Sequence, residues 1–493
     1  MDLTIQDKVN TILWKACDTF RGVVDASDYK NYVLTMLFMK YLSDLQRERG
    51  TDAENNLMDF VLPEECRFSA ILEYRNTKTS GLGAFINQAL KRLEEKNPEH
   101  LAGVFMGVDF DNLARLGREA DRQARLENLV DDFKALDLRP SQVGSQDVIG
   151  NAYEFLIARF AAGAGKKAGE FYTPHCVSLL ITTLMNPKPG DRICDPTCGS
   201  GSLLIHCGLY IKNKHRGAHF ELYGQEVMGT TWPLAKMNML LHGMKNATIE
   251  WADTLRNPKF KISDTLLSSF DIVVANPPFS LDKWGYEEAR NDPFNRFFRG
   301  MPPKARADYA FLSHMIQIMA PKTGRVGVVT SNGVLFRGGA EKQIRKAFIE
   351  ENLLDAVIGL PGNMFYGTSI PAAILIFRRK KQDENVFFID ASERHTHGRN
   401  QNRFSEQNVA EIASIYRARQ EIEKEAVLVS LDIIRENGYN LNIPRYLDRA
   451  PKIEPVLDED IIELNRSLDQ FDEELAQCRQ KMNHYLRDMG YDF

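Results

Sequence analysis

Over the first 150 or so residues, apolar positions recur at three- and four-residue spacing. Ile5, Val9, Ile12, Leu13, Ala16 and Phe20 fall on one face of a helix in this way. Charged stretches such as Gln46-Arg47-Glu48-Arg49 read as the solvated faces of such helices. A loop rich in small and basic residues, 161–169, then leads to a change of texture. Beyond it, short β-branched runs at 192–195, 222–224, 248–251, 271–275, 326–329 and 373–377 alternate with amphipathic helical stretches. Strands alternating with helices of that length predict an α/β fold built on a parallel, doubly wound sheet. After Phe377 there follow a short β segment, a helix from about Ser405, and a last stretch of a different kind. There Ile461, Leu464, Leu468, Phe471, Leu475, Cys478, Met482 and Tyr485 keep a three-four repeat, the mark of a coiled-coil seam. The pattern divides the chain into an N-terminal helical domain (1–150), an α/β domain (151–450) and a C-terminal partner-docking helix (451–493).

Composition narrows the class. With 43% hydrophobic and 26% charged residues in 493, the chain is globular rather than disordered. The apolar run 33–39 stops at Lys40, far short of the roughly 20 residues that span a bilayer, so no membrane association is expected. The N-terminus lacks a signal layout, which points to the cytosol. Seven cysteines at irregular spacing, with Cys194 and Cys198 inside a glycine-rich segment, predict free thiols and no metal site. A net charge of -5 argues against a uniformly basic nucleic-acid-binding surface, so any such contact must be local or shared with a partner.

The candidate chemistry begins at Asp195-Pro196-Thr197-Cys198-Gly199-Ser200-Gly201, which follows the first strand and leads into a helical run. Glycines there let backbone approach a ligand at the carboxyl end of a parallel strand. Glu226 ends the next strand, where a carboxylate can accept from both ribose hydroxyls, and Asp253 ends the third, where an acceptor can take an adenine amino group. The turn is not Gly-x-Gly-x-x-Gly, which disfavours a nicotinamide dinucleotide, and no P-loop sequence exists in the chain.

Asn276-Pro277-Pro278-Phe279 comes directly after the apolar 271–275 run. With it the chain resembles the amino-methyltransferases, whose Asn/Asp-Pro-Pro-Tyr/Phe motif acts on exocyclic amines. Phe171-Tyr172-Thr173-Pro174, the 195–201 turn, Glu226, Asp253 and Asp308-Tyr309-Ala310-Phe311 extend the match. The resemblance implies a Rossmann-like sheet that binds S-adenosyl-L-methionine. It assigns to that cofactor Glu170, Phe171, Tyr172, Thr173, Asp195, Thr197, Gly199, Ser200, Gly201, Glu226, Asp253 and Asn276, and to catalysis Asn276, Pro277, Pro278 and Phe279. Thr173 and Pro174 also read as a helix N-cap and first-turn pair.

The chemistry explains the residue types. An adenine amino group is a poor nucleophile because its lone pair is delocalised into the ring. The Asn276 side-chain oxygen and the Pro277 carbonyl can accept its two hydrogens and favour a pyramidal nitrogen. Two prolines fix φ and keep that carbonyl aimed inward. A cytosine-C5 methyltransferase would need a Pro-Cys nucleophile and a zinc deaminase Pro-Cys-x-x-Cys; neither occurs.

Motif order, the helical N-terminal domain, the segments 149–156, 169–174 and 438–441, the 394–402 loop and the C-terminal seam together resemble the modification subunit of type I restriction-modification systems over nearly the whole chain. That resemblance implies site-specific adenine-N6 methylation of double-stranded DNA. Its partners would be a specificity subunit, a second copy of the modification subunit and an optional ATP-dependent restriction subunit. Alternatives are a methyltransferase for RNA or a protein amide, or a non-catalytic scaffold that keeps the sheet.

Overall fold

The computed structural model describes residues 4–22, 24–49, 60–144, 147–163, 172–366, 368–398, 401–447 and 458–488. Residues 1–446 form one compact unit and 447–493 a second. Within the first unit, helices come before a large sheet. The helix Ile5–Ala16 starts at a capping box made by Thr4 and Asp7 and buries Val9, Leu13 and Ala16. Ile5, expected on the same face, is exposed because it sits in the first turn, and Phe20 is buried only after the helix has ended in a short 3-10 turn. The helix Ala26–Arg49 carries the apolar run 33–39, every member of which is buried, Thr35 included. A helix apolar on every side belongs at the centre of a bundle. Its Lys40 and Asp44 form a buried ion pair, and Asp44 also accepts from the Leu138 amide at 2.8 Å.

The helix Asp147–Gly163 runs across the boundary expected at residue 150 and takes in the first residues of the expected 161–169 loop. It packs on Ile5–Ala16 and Ala26–Arg49 and also on Trp232–Leu241, a helix of the α/β part. One core therefore joins Ile149, Tyr153, Leu156 and Phe160 to Leu234, Met237, Leu240 and Leu241.

The strands are β1 (Arg192–Asp195), β2 (Glu221–Glu226), β3 (Thr248–Trp251), β4 (Lys261–Ser263), β5 (Leu266–Leu267), β6 (Ile272–Ala275), β7 (Arg325–Ser331), β8 (Leu354–Gly359), β9 (Ala372–Arg378), β10 (Val386–Asp390) and β11 (Ala426–Val429). β4 and β5 make a small hairpin, and the other nine form one sheet in the order β11-β10-β8-β9-β7-β6-β1-β2-β3. The sheet is mixed: β9 runs antiparallel between β7 and β8, and β11 antiparallel to β10, while the remaining strands share one direction. The chain builds outward from β1 through β2 to β3, then returns to place β6 on the other flank of β1. Strand order reverses there, and a crevice opens outside the carboxyl ends of β1 and β6. Among the described residues no helix is long and apolar enough to cross a membrane.

Candidate active site

β1 ends on Asp195 and β6 on Ala275, so the 195–201 turn and the 276–279 motif leave the sheet side by side at that crevice. The turn is braced from within. Asp195 Oδ1 accepts from the Thr197 amide at 2.9 Å, and Glu226 Oε2 accepts from the Gly199 amide at 2.9 Å. Glu226 Oε1 takes the Met228 amide at 2.7 Å. Each carboxylate oxygen keeps a second lone pair for a ligand. Gly201 has φ +83, and a Cβ there would lie 2.7 Å from Met239 Cε, so glycine is needed before the helix Ser202–Lys214. Ser200 is buried, and its carbonyl accepts from Asn238 Nδ2 at 2.9 Å. Burial pushes the Asp195 carboxyl up to about 8, with the Thr197 amide opposing and the nearby Glu226 reinforcing the rise. Burial likewise raises Glu226.

Asp253 lies two residues beyond β3 rather than at its end. Its Oδ1 accepts from the Leu255 and Arg256 amides at 2.8 and 3.1 Å, which leaves Oδ2 for another donor. The loop is pinned by Thr254 Oγ1, which donates to the Pro196 carbonyl, and by buried Arg296, which donates to the Thr254 and Leu255 carbonyls at 3.0 and 2.7 Å. Asp195, Glu226 and Asp253 thus sit on loops of three adjacent strands.

Sequence reasoning missed the apolar wall beside them. Val227, Met228 and Trp251 are 58%, 39% and 48% exposed, and Trp251 Nε1 donates to the Val227 carbonyl at 3.0 Å. The signal was present, since large apolar residues directly after Glu226 and before Asp253 have no reason to face water unless something covers them.

Asn276, Pro277, Pro278 and Phe279 line a cavity of about 490 Å³ together with Ser331, Phe365, Tyr366 and Ile370 among others. The Asn276 side chain is oriented by Thr173, whose Oγ1 accepts from Nδ2 at 3.2 Å. The expected N-cap role for Thr173 does not hold. The helix His175–Met185 has Pro174 at its N-cap with no side-chain cap, because the Thr173 hydroxyl faces across to Asn276 instead. Asn276 Oδ1 is buried and has no hydrogen-bond partner among the described residues. Tyr172 is buried against Tyr366, ring centroids 6.0 Å apart. Glu170 and Phe171 lie outside the described residues. The Phe279 ring stands edge-on to Phe365 at 6.0 Å and 71°. Phe365 was not singled out in the sequence, where nothing distinguishes it from a core phenylalanine.

The motif loop is held by the 308–311 segment. Asp308 Oδ1 accepts from the Ser280 amide at 3.3 Å, the Ala307 amide donates to the Leu281 carbonyl at 2.9 Å, and Arg337 pairs with Asp308 Oδ2 at 3.2 Å. Ser280 takes φ +53, a conformation such a clamp sustains.

The N-6 DNA Methylase family matches residues 144–454, and the HsdM N-terminal domain matches residues 9–133. The chain is 32% identical to the type I restriction enzyme MjaVIII methylase subunit of Methanocaldococcus jannaschii, over 98% of this chain and 85% of that one. It is 29% identical to the MpnII methylase subunit of Mycoplasma pneumoniae, over 98% and 96%. Among solved structures, the methyltransferase subunit of a type I restriction-modification system from Streptococcus thermophilus superposes with a TM-score of 0.80 at 34% identity, covering 90% of this chain and 99% of that one. The helical region and the sheet with its crevice thus recur as a pair in these proteins, and the chain belongs to the N-6 DNA methylase family, among the methylase subunits of type I restriction-modification systems.

Proposed function

We propose that this chain uses S-adenosylmethionine to methylate N6 of an adenine extruded from double-stranded DNA, at a site chosen by a separate specificity subunit. The observation that carries the reading is the Asn276 amide, held at Nδ2 by Thr173 while Oδ1 is buried in the cavity wall with no partner among the described residues. A buried acceptor left without a donor costs about 1–3 kcal/mol, which a ligand N–H recovers. An exocyclic amine supplies two hydrogens, one for Asn276 Oδ1 and one for the Pro277 carbonyl. Accepting both withdraws the nitrogen lone pair from the ring and directs it toward the Asp195 turn. Orientation is what these two groups contribute, and the prolines hold it in place before the base arrives. The base lies against Phe279, with Phe365 closing its edge; stacking of this kind is worth about 1–3 kcal/mol and offsets the few kcal/mol of extrusion.

S-adenosylmethionine supplies a methyl group on a positively charged sulfur. The acceptors that suit it are Glu226 for the ribose hydroxyls, Asp253 Oδ2 for the adenine amino group, and the 195–201 backbone with Asp195 for the methionine end, while Tyr172 and Thr173 border it on the Asn276 side. The exposed wall of Val227, Met228 and Trp251 suits the flat face of the cofactor's adenine. The test is methyl transfer to plasmid DNA by the chain purified with its specificity partner: N6-methyladenine at a defined site is expected, and an absence of transfer in that reconstituted complex overturns the reading.

Two modification chains joined to one specificity chain, with an optional restriction chain, complete the proposed assembly, working in the cytosol. What supports a partner is the apolar seam on the helix Asp458–Asp488, whose Leu468, Phe471, Leu475, Met482 and Tyr485 are all exposed.

A further inference from the structure

The rim of the Asn276 cavity is not polar throughout. Two large aliphatic residues that line it are also exposed, Leu281 at 38% and Ile370 at 64%. They differ in setting. Leu281 is followed by Asp282, an exposed carboxylate at the same lip, set against the phosphates of any approaching duplex. Ile370 follows Thr368 and Ser369, hydroxyl residues without charge, and precedes Pro371.

Ile370 is also held rigidly. Its amide donates to Thr368 Oγ1 at 3.1 Å, closing a local turn, and the Ser369 carbonyl accepts from the Asn363 amide at 3.3 Å. Pro371 fixes the next φ, and β9 begins at Ala372, whose carbonyl accepts from the Leu360 amide at 2.9 Å. A β-branched apolar side chain therefore stands largely exposed at the mouth of the pocket, on the same lining as the exposed Leu281.

We propose that Ile370 is the wedge that enters the base stack as the target adenine leaves it. The inference rests on the reading of the Asn276 cavity as the base pocket. Whatever delivers a base to that cavity must pass its rim, and extrusion leaves a gap in the duplex one base deep. An apolar wedge at such a step is a recurrent way to hold open an unstacked duplex. Isoleucine fills the gap without offering a hydrogen bond to the orphaned thymine, which suits a subunit that leaves sequence reading to its partner.

The experiment uses the complete complex with its specificity subunit on duplexes carrying one recognition site. The target adenine is either paired with thymine or mismatched, and 2-aminopurine at the target position reports extrusion by fluorescence. On paired duplex Ile370→Ala is expected to lower kcat/KM about tenfold, the loss of one aliphatic side chain's burial, and to reduce the fluorescence rise. On mismatched duplex, where less unpairing remains to be done, the variant is expected within about twofold of the wild type. Complex assembly and S-adenosylmethionine affinity stay unchanged. Equal losses on both duplexes, or no loss on either, overturn the wedge. So does failure of the variant to assemble with the specificity subunit, which would show Ile370 covered by protein. Asn276→Ala, run alongside, separates the two ideas: if it still methylates, the pocket reading itself fails, whatever Ile370 does.

Discussion

At the residue scale the proposed site is a set of side-chain acceptors, with Asn276 Oδ1 facing the base and Asp195, Glu226 and Asp253 facing the cofactor. Asn276→Ala removes the acceptor and is expected to abolish methyl transfer with S-adenosylmethionine affinity nearly intact, as calorimetry would read; joint loss of both would mean that Asn276 faces the cofactor. Thr173→Val deletes the hydroxyl that orients the amide at 3.2 Å. Without that hydrogen bond the productive orientation of the amide is no longer favoured, and kcat is expected to fall about tenfold, the worth of one buried hydrogen bond. An unchanged kcat would show that packing alone orients Asn276. Asp195 makes a prediction about pH. Burial holds its carboxyl up to about 8, so at neutral pH it keeps a proton that a cationic ligand disfavours. Affinity for S-adenosylmethionine should therefore rise with pH until about 8 and level off above, with proton release on binding. Calorimetry in two buffers of different ionisation enthalpy measures that release, and Asp195→Asn should flatten the pH profile. The motif residues were legible in the sequence because each is a distinctive type in a fixed order. Their partnerships were not. Thr173 lies 103 positions from Asn276, and no local pattern links them. Local reading made Thr173 a helix cap because Thr-Pro is also a cap signal.

At the element scale, β1, β2, β3, β6, β7 and β9 were readable as short β-branched runs, and β8, among the strands that escaped, shows why. β8 is interrupted by Asp355, which breaks the apolar run although it is 1% exposed. Its charge is answered from outside the strand, by the Tyr416 hydroxyl at 2.5 Å and by Arg419. Strand direction was hidden for a different reason: β9 is buried along nearly its whole length, and a run apolar on both faces reads the same in either orientation. The helix Asp147–Gly163 carries a comparable surprise in Glu154. This side chain is buried, with Ser202 and Asn238 hydrogen-bonding to it and His206 4.0 Å away, and burial pushes its carboxyl up to about 7. Burial drives His206 the other way, well below its ordinary value, so the imidazole is uncharged at neutral pH and the two groups do not form an ion pair. In the unfolded chain Glu154 titrates near 4.5. The folded state therefore binds the extra proton between about 4.5 and 7, and this group's contribution to stability falls as pH rises through that window and is constant above it. Glu154→Gln keeps the neutral shape without the titration. Its melting temperature minus that of the wild type should increase from pH 4.5 to 7, and a difference independent of pH would show that the carboxyl ionises freely in the folded protein.

At the scale of the whole molecule, the split at residue 446 sets the proposed catalytic site and the proposed docking helix in different units. The site motifs and the cavity lining as far as Pro371 fall within the first unit, whereas the helix Asp458–Asp488 belongs to the second. Leu468, Phe471, Leu475, Cys478, Met482 and Tyr485 repeat at three- and four-residue spacing along it and are all exposed. A single helix cannot bury its own stripe, and a seam of this regularity is stable only against a second helix. Deletion from about residue 454 is therefore expected to abolish site-specific methylation while leaving S-adenosylmethionine binding and the thermal melt of the 1–446 unit in place. Leu468→Glu with Phe471→Glu is the finer test, since two charges in the seam cost more than a helix–helix contact of a few apolar pairs returns. The doubly substituted chain should fail to co-purify with the specificity subunit yet melt at the wild-type temperature on its own. Should it melt many degrees lower and still assemble, the seam is internal packing, and the specificity subunit docks elsewhere.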